Sequence, residues 1–332
     1  MPVYNGKKHL KEAIASILLQ DYKNFELITI DDASKDNSSE IIKQFNDNRI
    51  VLLTNPQNMG LASTLNIGIQ NSKGEFIARM DQDDIALPNR LTLQLEAFHK
   101  DSDLGLCGSA FRIFGGGNHI IIKNPENYEV IRANLLFYNC IAHPTIMFKR
   151  RLFADADLSY DKNYDWAEDF ELWTRAKDLI KMKNLPVPLL NYRMNQTSMT
   201  ASGSSRVHES VKRINKRSLE EIGIFPSNEL LDIHLALGHH LIDSKNLTTV
   251  NVVHEHLLNI INKNLEFNAY DSEILNSVIS IFWRSIVYNI PRNQQKPYFH
   301  SPLTAYLGLR NVLKLQSIKK SFRESLPFIG RR

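Results

Sequence analysis

Two short apolar runs in this chain each end on a cluster of carboxylates. FELITI (25–30) runs into Asp31-Asp32, and EFIARM (75–80) runs into Asp81-Gln82-Asp83-Asp84. A nearly continuous apolar run of this length reads as a strand buried on both faces, as strands are in a parallel sheet. Helical patterns lie between such runs. Leu10, Ala13, Ile14, Ile17 and Leu18 repeat at the spacing of one buried helical face. Asn37 with Glu40 offers a capping box for a helix through Phe45. RIVLLT (49–54) reads as the next strand, and LASTLNIGIQN (61–71) as a helix closed near Gly74. Strands alternating with helices predict right-handed βαβ units and a Rossmann-like, mostly parallel α/β sheet. Ligands of such sheets bind beyond the carboxyl ends of the strands, so this fold brings both acidic groups to one crevice. Like charges this close repel, and the second cluster therefore predicts a cationic partner.

From Gly105 the rhythm changes. GLCGSAFRIF, GGGN and HIIIK read as a hairpin whose turn is Gly115-Gly116-Gly117, not a dinucleotide fingerprint, since no G-x-G-x-x-G follows a strand and opens a helix. A helix (Tyr128–Phe137), a strand (Thr145–Phe148), a helix beginning near Glu168 and a last strand ending at NYRM (191–194) follow. QTSMTASGSSR (196–206) is polar and Ser-rich, the composition of a mobile loop. Beyond it helical patterns dominate, divided by Pro226, Pro291, Pro297 and Pro302. The chain thus divides into a catalytic α/β domain, 1–206, and a helical C-terminal extension, 207–332, with a basic tail.

Composition narrows the function classes. Cys107 and Cys140 are too few for a disulfide framework and read as buried thiols of a reducing compartment. No apolar span of membrane length and no signal peptide is visible, which predicts a cytoplasmic protein. The net charge of +4 is concentrated in Arg310–Arg332, which holds seven Lys or Arg against one acid. The remainder is slightly acidic and offers no general surface for nucleic acid. In the tail, Leu309, Val312, Leu313 and Leu315 lie among Arg310, Lys314, Lys319, Lys320 and Arg323, a partly amphipathic pattern suited to peripheral contact with an anionic membrane. His234, His239, His240, His254 and His256 lack an H-E-x-x-H or Cys partner and read as exposed helix and loop histidines.

MPVYNG, ITIDDAS, NMGLASTLNIGI, GEFIARMDQDDIALPNRL, IAHPTIMFKR and AEDFELWTR, in this order and at these spacings, resemble glycosyltransferase family 2, whose fold is GT-A. The resemblance spans roughly residues 1 to 200, and its specificity lies in the ordered set, since any one motif alone is weak. It implies an inverting, metal-dependent transferase that moves a hexosyl or N-acetylhexosaminyl group from a nucleotide donor, UDP-linked by expectation. The acceptor that the resemblance implies is a growing surface glycan such as lipopolysaccharide or capsule, free or lipid-linked.

Each role follows from that resemblance. Asp81-Gln82-Asp83 matches the D-x-D element, where Mn²⁺ or Mg²⁺ bridges carboxylate oxygen to the donor diphosphate. Asp83 is the expected direct ligand, and Asp81 holds ribose or metal-bound water. Asp32, with Asp31, meets the uracil imide, although an Asx-turn also accounts for Asp31. Pro2, Val3 and Tyr4 lie along the same base. Arg79 and Arg90 are candidate diphosphate or ribose neighbours, with a salt-bridged arginine as the plain alternative. Asp169 is the expected base and Glu168 its support, while acidic residues also favour a first helical turn through the macrodipole. His143 and Trp166 fall on the acceptor side.

Two departures stand out. Relatives carry about four more apolar residues before P-V-Y-N, forming a central first strand that this chain enters part-way, which reads as a late start or a truncated strand. Relatives often carry a histidine two residues after the arginine of NYRM, where this chain has Asn195. A sugar-phosphate nucleotidyltransferase is one alternative, but its G-x-G-x-R loop is absent. A non-catalytic glycan-assembly or carbohydrate-binding protein is another, and the retained Asp32, Asp81, Asp83 and Asp169 argue against it.

Overall fold

The computed structural model describes residues 1–115, 120–164, 166–194 and 205–305. Residues 116–119, 165, 195–204 and 306–332 lie outside the described residues, and with them the basic tail and most of the expected loop 196–206, whose Ser205 and Arg206 instead open a helix. The chain forms two compact units: Met1–Glu126 with Ile141–Ser202, and Asn127–Cys140 with Gly203–Arg332.

In the first unit the order is β1 (Pro2–Val3), α1 (Leu10–Leu18), β2 (Leu27–Asp31), α2 (Ser38–Lys43), β3 (Ile50–Thr54), α3 (Leu61–Asn71), β4 (Phe76–Ala78), β5 (Ile85–Ala86), α4 (Arg90–Lys100), β6 (Leu104–Phe114) and β7 (Ile120–Ile122). After α5 (Tyr128–Leu135), a helix of the second unit, come β8 (Met147–Lys149), α6 (Arg150–Asp155), α7 (Glu168–Ala176) and β9 (Lys181–Arg193). Strands β1, β2 and β3 form a parallel sheet in that order, with Val3 opposite Asp31. Helix α1 buries Leu10, Ala13, Ile14 and Ile17, the residues whose spacing marks its inner face. The expected capping box at Asn37 does not form. The Ser38 hydroxyl instead donates to Asp36 Oδ1 at 2.5 Å and accepts the Gly6 N–H at 2.9 Å, which ties α2 to the loop after β1.

Strand β4 departs from the expected parallel arrangement. It pairs antiparallel with β8 in a second, mixed sheet of order β4-β8-β6-β9-β5, with β7 on β6. An apolar run reads alike in either sheet, and Phe76–Ala78 finds its ladder on Lys149–Met147. Strand β5 pairs antiparallel with Leu190 and Asn191 of β9. The acidic tetrad 81–84 is therefore a connection whose two ends are anchored in one sheet.

The second unit is helical. Helix α5, α8 (Ser205–Glu220), α9 (Asn228–Gly238), α10 (Leu247–Phe267) and α11 (Ser272–Val287) enclose a core that includes Phe137, Leu257, Ile279, Phe282 and Trp283. The side chains of Ser227, Asn246 and Asp271 accept the N–H groups of Leu230, Thr249 and Ile274, capping α9, α10 and α11. Two histidines correct the expectation of exposure. His234 and His256 are buried, with His234 Nδ1 2.9 Å from His256 Nε2 and His234 Nε2 2.8 Å from the Leu136 carbonyl. Burial pushes them down to about 4 and about 3, so both are neutral structural groups. No helix of the described residues is long and apolar enough to cross a membrane.

Candidate active site

The carboxyl end of β1 carries the first half of the site. Pro2 and Val3 are buried and Tyr4 is 42% exposed. The neighbouring turn is stitched to this end: the Asn5 N–H donates to Ser34 Oγ at 3.0 Å, and Asn5 Oδ1 accepts the Lys35 N–H at 2.8 Å. Asp31 Oδ1 accepts the Ser34 N–H at 2.9 Å, so its carboxylate holds the turn. Asp32 is also committed within the protein. Its Oδ1 accepts Asn55 Nδ2 at 2.7 Å and the Met59 N–H at 2.8 Å, and its Oδ2 accepts the Gly60 N–H at 3.0 Å. These bonds draw the residues that open α3 onto the end of β2.

The tetrad lies beside this group. Arg79, only 5% exposed, pairs Nη1 with Asp81 Oδ2 and Nη2 with Asp81 Oδ1, both at 2.7 Å. Arg79 is thus a buried partner that orients Asp81, the salt-bridged reading of this residue. Gln82 spans to β1: its Oε1 accepts the Tyr4 N–H at 2.9 Å and its Nε2 donates to the Tyr4 carbonyl at 3.0 Å. Asp83 is half-buried, and its carbonyl accepts Arg193 Nε at 2.8 Å. Asp84 is buried, with Oδ1 accepting the Arg193 N–H at 2.9 Å. Its Oδ2 has no hydrogen-bond partner among the described residues. Burial first, then the Asp81 charge, pushes the Asp84 carboxyl well above the usual carboxylate range. Arg90 lies in the core. It donates to the Arg79 carbonyl at 2.7 Å and the Ile146 carbonyl at 3.2 Å, so it supports the tetrad from beneath.

A third group faces the same arginine. Glu168 and Asp169 open α7, and His143 stands in the single 3-10 turn before β8. Ligand atoms of these three residues lie within 4.8 Å of one another. His143 Nδ1 is 3.6 Å from Glu168 Oε1, and His143 Nε2 is 2.9 Å from the Tyr160 hydroxyl. Asn66 of α3 fixes Tyr160 by accepting its N–H at 3.0 Å and donating to its carbonyl at 2.8 Å. Burial, and then the neighbouring Asp169, push Glu168 up to about 8, while burial and the Arg79 charge hold His143 well below its ordinary value. Burial therefore favours the protonated form of Glu168 and the neutral form of His143. The charges of both Arg79 and Asp81 act on Glu168, which places the tetrad and the α7 pair in one electrostatic neighbourhood. Asp169 is half-buried, and its Oδ1 accepts the Phe170 N–H at 2.7 Å. Trp166 is 39% exposed with a backbone φ of 68°, a left-handed conformation that bulky residues rarely adopt.

The loop 81–84 fits a hard divalent cation. Its side chains supply carboxylate oxygen, the donor Mg²⁺ and Mn²⁺ take, and the buried Asp84 Oδ2 lacks the partner that a buried carboxylate oxygen requires. The His143, Glu168 and Asp169 group is a second candidate, with one ligand atom from each residue within 4.8 Å of the others.

Gln82, Arg193, Asn66 and Tyr160 were not singled out in the sequence, yet each ties two parts of the site together. Gln82 stands inside the D-x-D element and Arg193 inside NYRM, so position marked them although residue type did not.

Residues 1–157 match the family described as Glycosyl transferase family 2. The chain is 30% identical over 248 residues to the Escherichia coli UDP-Glc:alpha-D-GlcNAc-diphosphoundecaprenol beta-1,3-glucosyltransferase WfgD, an alignment covering 74% of this chain and 92% of that one. It is 35% identical over 212 residues to the Escherichia coli O-antigen biosynthesis glycosyltransferase WbnJ, covering 61% of this chain and 81% of the relative. Among solved structures, S. aureus TarS 1-349 in complex with UDP superposes with a TM-score of 0.52 at 15% identity, covering 98% of this chain and 90% of TarS 1-349. The mannosyltransferase PcManGT from Pyrobaculum calidifontis, in complex with GDP-Man and Mn2+, gives 0.54 at 14% identity, covering 99% and 86%. At such identities the two structures speak to the fold, which is GT-A.

Proposed function

The chain belongs to glycosyl transferase family 2 and is a glycosyltransferase, and from that premise we propose an inverting enzyme that transfers a sugar from a UDP-linked donor to a lipid-linked or growing surface glycan. The observation that carries this reading is the group at α7, where ligand atoms of His143, buried Glu168 and half-buried Asp169 lie within 4.8 Å of one another, and where burial favours the protonated form of Glu168. Environments that hold one of two adjacent carboxyls protonated leave the other for proton abstraction. Asp169 takes the proton of the acceptor hydroxyl, that oxygen attacks the anomeric carbon, and the nucleoside diphosphate leaves from the opposite face. Glu168, His143 and Tyr160 hold α7 in place, and Trp166 offers an aromatic face to the acceptor. Asp83 and Asp84 would hold a divalent cation, with Asp81, oriented by Arg79, beside them on the ribose side. When bound, that cation neutralises charge on the departing diphosphate. Pro2, Val3, Tyr4, Asp31 and Asp32 line the base.

Catalysis belongs to 1–206, and the helical extension 207–332 ends in the basic tail that we assign to an anionic membrane surface, where a lipid-linked acceptor is met. WfgD, by its name, acts on a diphosphoundecaprenol-linked sugar, which supports that acceptor class. The test is thermal shift with UDP, GDP and their sugar conjugates, with and without Mn²⁺. Stabilisation by UDP that requires Mn²⁺ is expected, and equal UDP stabilisation with and without chelator would refute the metal and donor assignment. Co-sedimentation of the full chain with anionic liposomes, lost on ending the chain before Leu309, tests the tail.

A further inference from the structure

The second residue of the segment 81–84, Gln82, connects the two ends of the proposed nucleotide site. Gln82 presents its carboxamide edge-on to the backbone of Tyr4, accepting from the N–H at 2.9 Å and donating to the carbonyl at 3.0 Å. This is the bonding that a neighbouring strand would supply, delivered by one side chain from 78 residues away. One hydrogen bond uses the carboxamide oxygen as acceptor and the other its NH₂ as donor, so the pair fixes orientation as well as distance. Gly6 makes room for it: a Cβ there would lie 2.2 Å from Gln82 Oε1 and 2.7 Å from its Cδ. The glycine's ordinary reading as a turn residue misses this close approach, which no larger side chain accommodates without displacing the amide.

The clamp sits where its mechanical consequence is greatest. Tyr4 ends the segment assigned to the base, and Gln82 lies between Asp81, which Arg79 orients, and Asp83. Strand β1 ends at Val3, whose carbonyl accepts the Asp32 N–H at 2.8 Å. The tetrad itself is anchored at its far end, where Arg193 holds the Asp83 carbonyl and the Asp84 carboxylate. Without Gln82, the tetrad would keep its hold on β9 but lose its measured distance from β1.

We infer that Gln82 is a positioning residue that sets the separation between the base-lining Tyr4 segment and the cation-binding carboxylates, so that base and metal-bound diphosphate are held as one ligand. This rests on the UDP and metal assignment above. The amide touches neither sugar nor reacting atoms; it acts through Tyr4 and Asp83. Ligands that use only one end of the site are then insensitive to the clamp, and ligands that span both ends are sensitive.

The experiment measures binding by titration calorimetry with three probes: UDP with Mn²⁺, UDP with chelator, and UMP with chelator. Gln82→Met keeps length and removes both hydrogen bonds. Gln82→Glu keeps an acceptor for the Tyr4 N–H and loses the donor. Gly6→Ala displaces the amide from the other side and serves as an independent variant should Gln82→Met fold poorly. In Gln82→Met the Mn²⁺ concentration that half-saturates UDP binding should rise about tenfold, as expected for lost positioning worth one or two net hydrogen bonds. UMP affinity should change less than about twofold. Gln82→Glu should fall between, and Gly6→Ala should follow Gln82→Met. A folded Gln82→Met or Gly6→Ala with the parent's Mn²⁺ half-saturation overturns the inference. So does an equal loss for UMP and UDP, which would confine the clamp to shaping the base wall. A parent protein whose UDP binding ignores Mn²⁺ fails the donor and metal assignment itself, and the inference falls with it; the parent titration alone reveals that case.

Discussion

Arg79 holds both carboxylate oxygens of Asp81 at 2.7 Å from a side chain that is 5% exposed, whereas Asp81 is 27% exposed. A buried arginine whose fork is matched to a carboxylate facing the crevice fixes that carboxylate's plane as well as its position. Its charge also reaches Glu168, Tyr160, His143 and Asp84, so one guanidinium biases titratable groups of both the tetrad and the α7 group.

Replacing Arg79 should therefore be costly in two currencies that can be measured separately. Arg79→Lys retains charge but cannot grip both oxygens, and Arg79→Met leaves Asp81 without its partner. Arg79→Met should destabilise the fold by about 3 kcal/mol in urea unfolding, the scale for breaking a largely buried pair. Arg79→Lys should cost less stability, yet turnover should still fall at least about tenfold because Asp81 loses its orientation. Parental turnover in Arg79→Lys would show that charge alone suffices.

Asp32 is predicted to matter for folding as well as for nucleotide. Its oxygens accept two backbone N–H groups and the Asn55 amide. Asp32→Asn turns one acceptor into a donor that faces another donor, so it should cost about 1–3 kcal/mol of stability. If Asp32 also meets the base, UMP binding should weaken beyond what the unfolded fraction explains. Calorimetry well below the melting temperature separates the two effects, and unchanged UMP affinity would leave Asp32 a purely structural residue.

Local signals made much of this legible in the sequence. The spacing of Leu10, Ala13, Ile14 and Ile17 defines α1 and its buried face, and the Gly60 to Ser72 boundaries of α3 follow its apolar pattern. Both acidic groups lie at strand ends because an apolar run cannot continue through them. What failed was long-range. Nothing in EFIARM distinguishes a strand of the first sheet from one that pairs with β8: the apolar run reads alike, although β4 proves to be an edge strand with Phe76 and Ile77 half-buried and Ala78 exposed. Gln82 among carboxylates reads as a spacer until Tyr4 is beside it. Tyr128–Phe137 reads as one more helix of the α/β domain, yet its Ala133, Leu136 and Phe137 join the core of the helical unit. One signal was present and overlooked: His234 shares the i, i+3 spacing of Leu231 and Leu237, and His256 that of Val253, so both histidines stand on buried faces.

Asp169→Asn should lower turnover by about a hundredfold or more while leaving UDP affinity nearly unchanged, since a general base acts in the transition state. Near-parental turnover would transfer the role to Glu168 and contradict its protonated state. Donor binding measured on the same preparation guards against a misfolded variant.

Glu168 also predicts a pH dependence of stability. Its pKa is raised from 4.5 to about 8 by burial and by Asp169. A carboxyl raised in the folded state contributes fully below its unfolded pKa, and that contribution is lost as pH rises through the folded value. The parent should therefore lose stability between about pH 4.5 and pH 8 through this group. Glu168→Gln, neutral throughout, should lack that loss, so its stability relative to the parent should grow across the window. Parallel melting curves for the two proteins from pH 5 to pH 8 would show that Glu168 is ionised in the folded protein.

Trp166 combines exposure with a left-handed backbone, φ 68°, three residues before Asp169. Holding a bulky residue in that region costs on the order of 1 kcal/mol or more, and glycine adopts it freely. If Trp166 were only structural, Trp166→Gly would trade lost packing against relieved strain, with little effect on acceptor use. If the ring is an acceptor platform, the same substitution should leave stability within about 1 kcal/mol of the parent and UDP affinity unchanged. The acceptor KM should rise about tenfold, the scale of one lost aromatic contact with a sugar face. Trp166→Phe, which keeps an aromatic face but also the backbone strain, should recover most of the acceptor KM without recovering any stability that glycine gained. An acceptor KM unchanged in Trp166→Gly would remove Trp166 from the site and leave its backbone conformation as a property of the turn into α7.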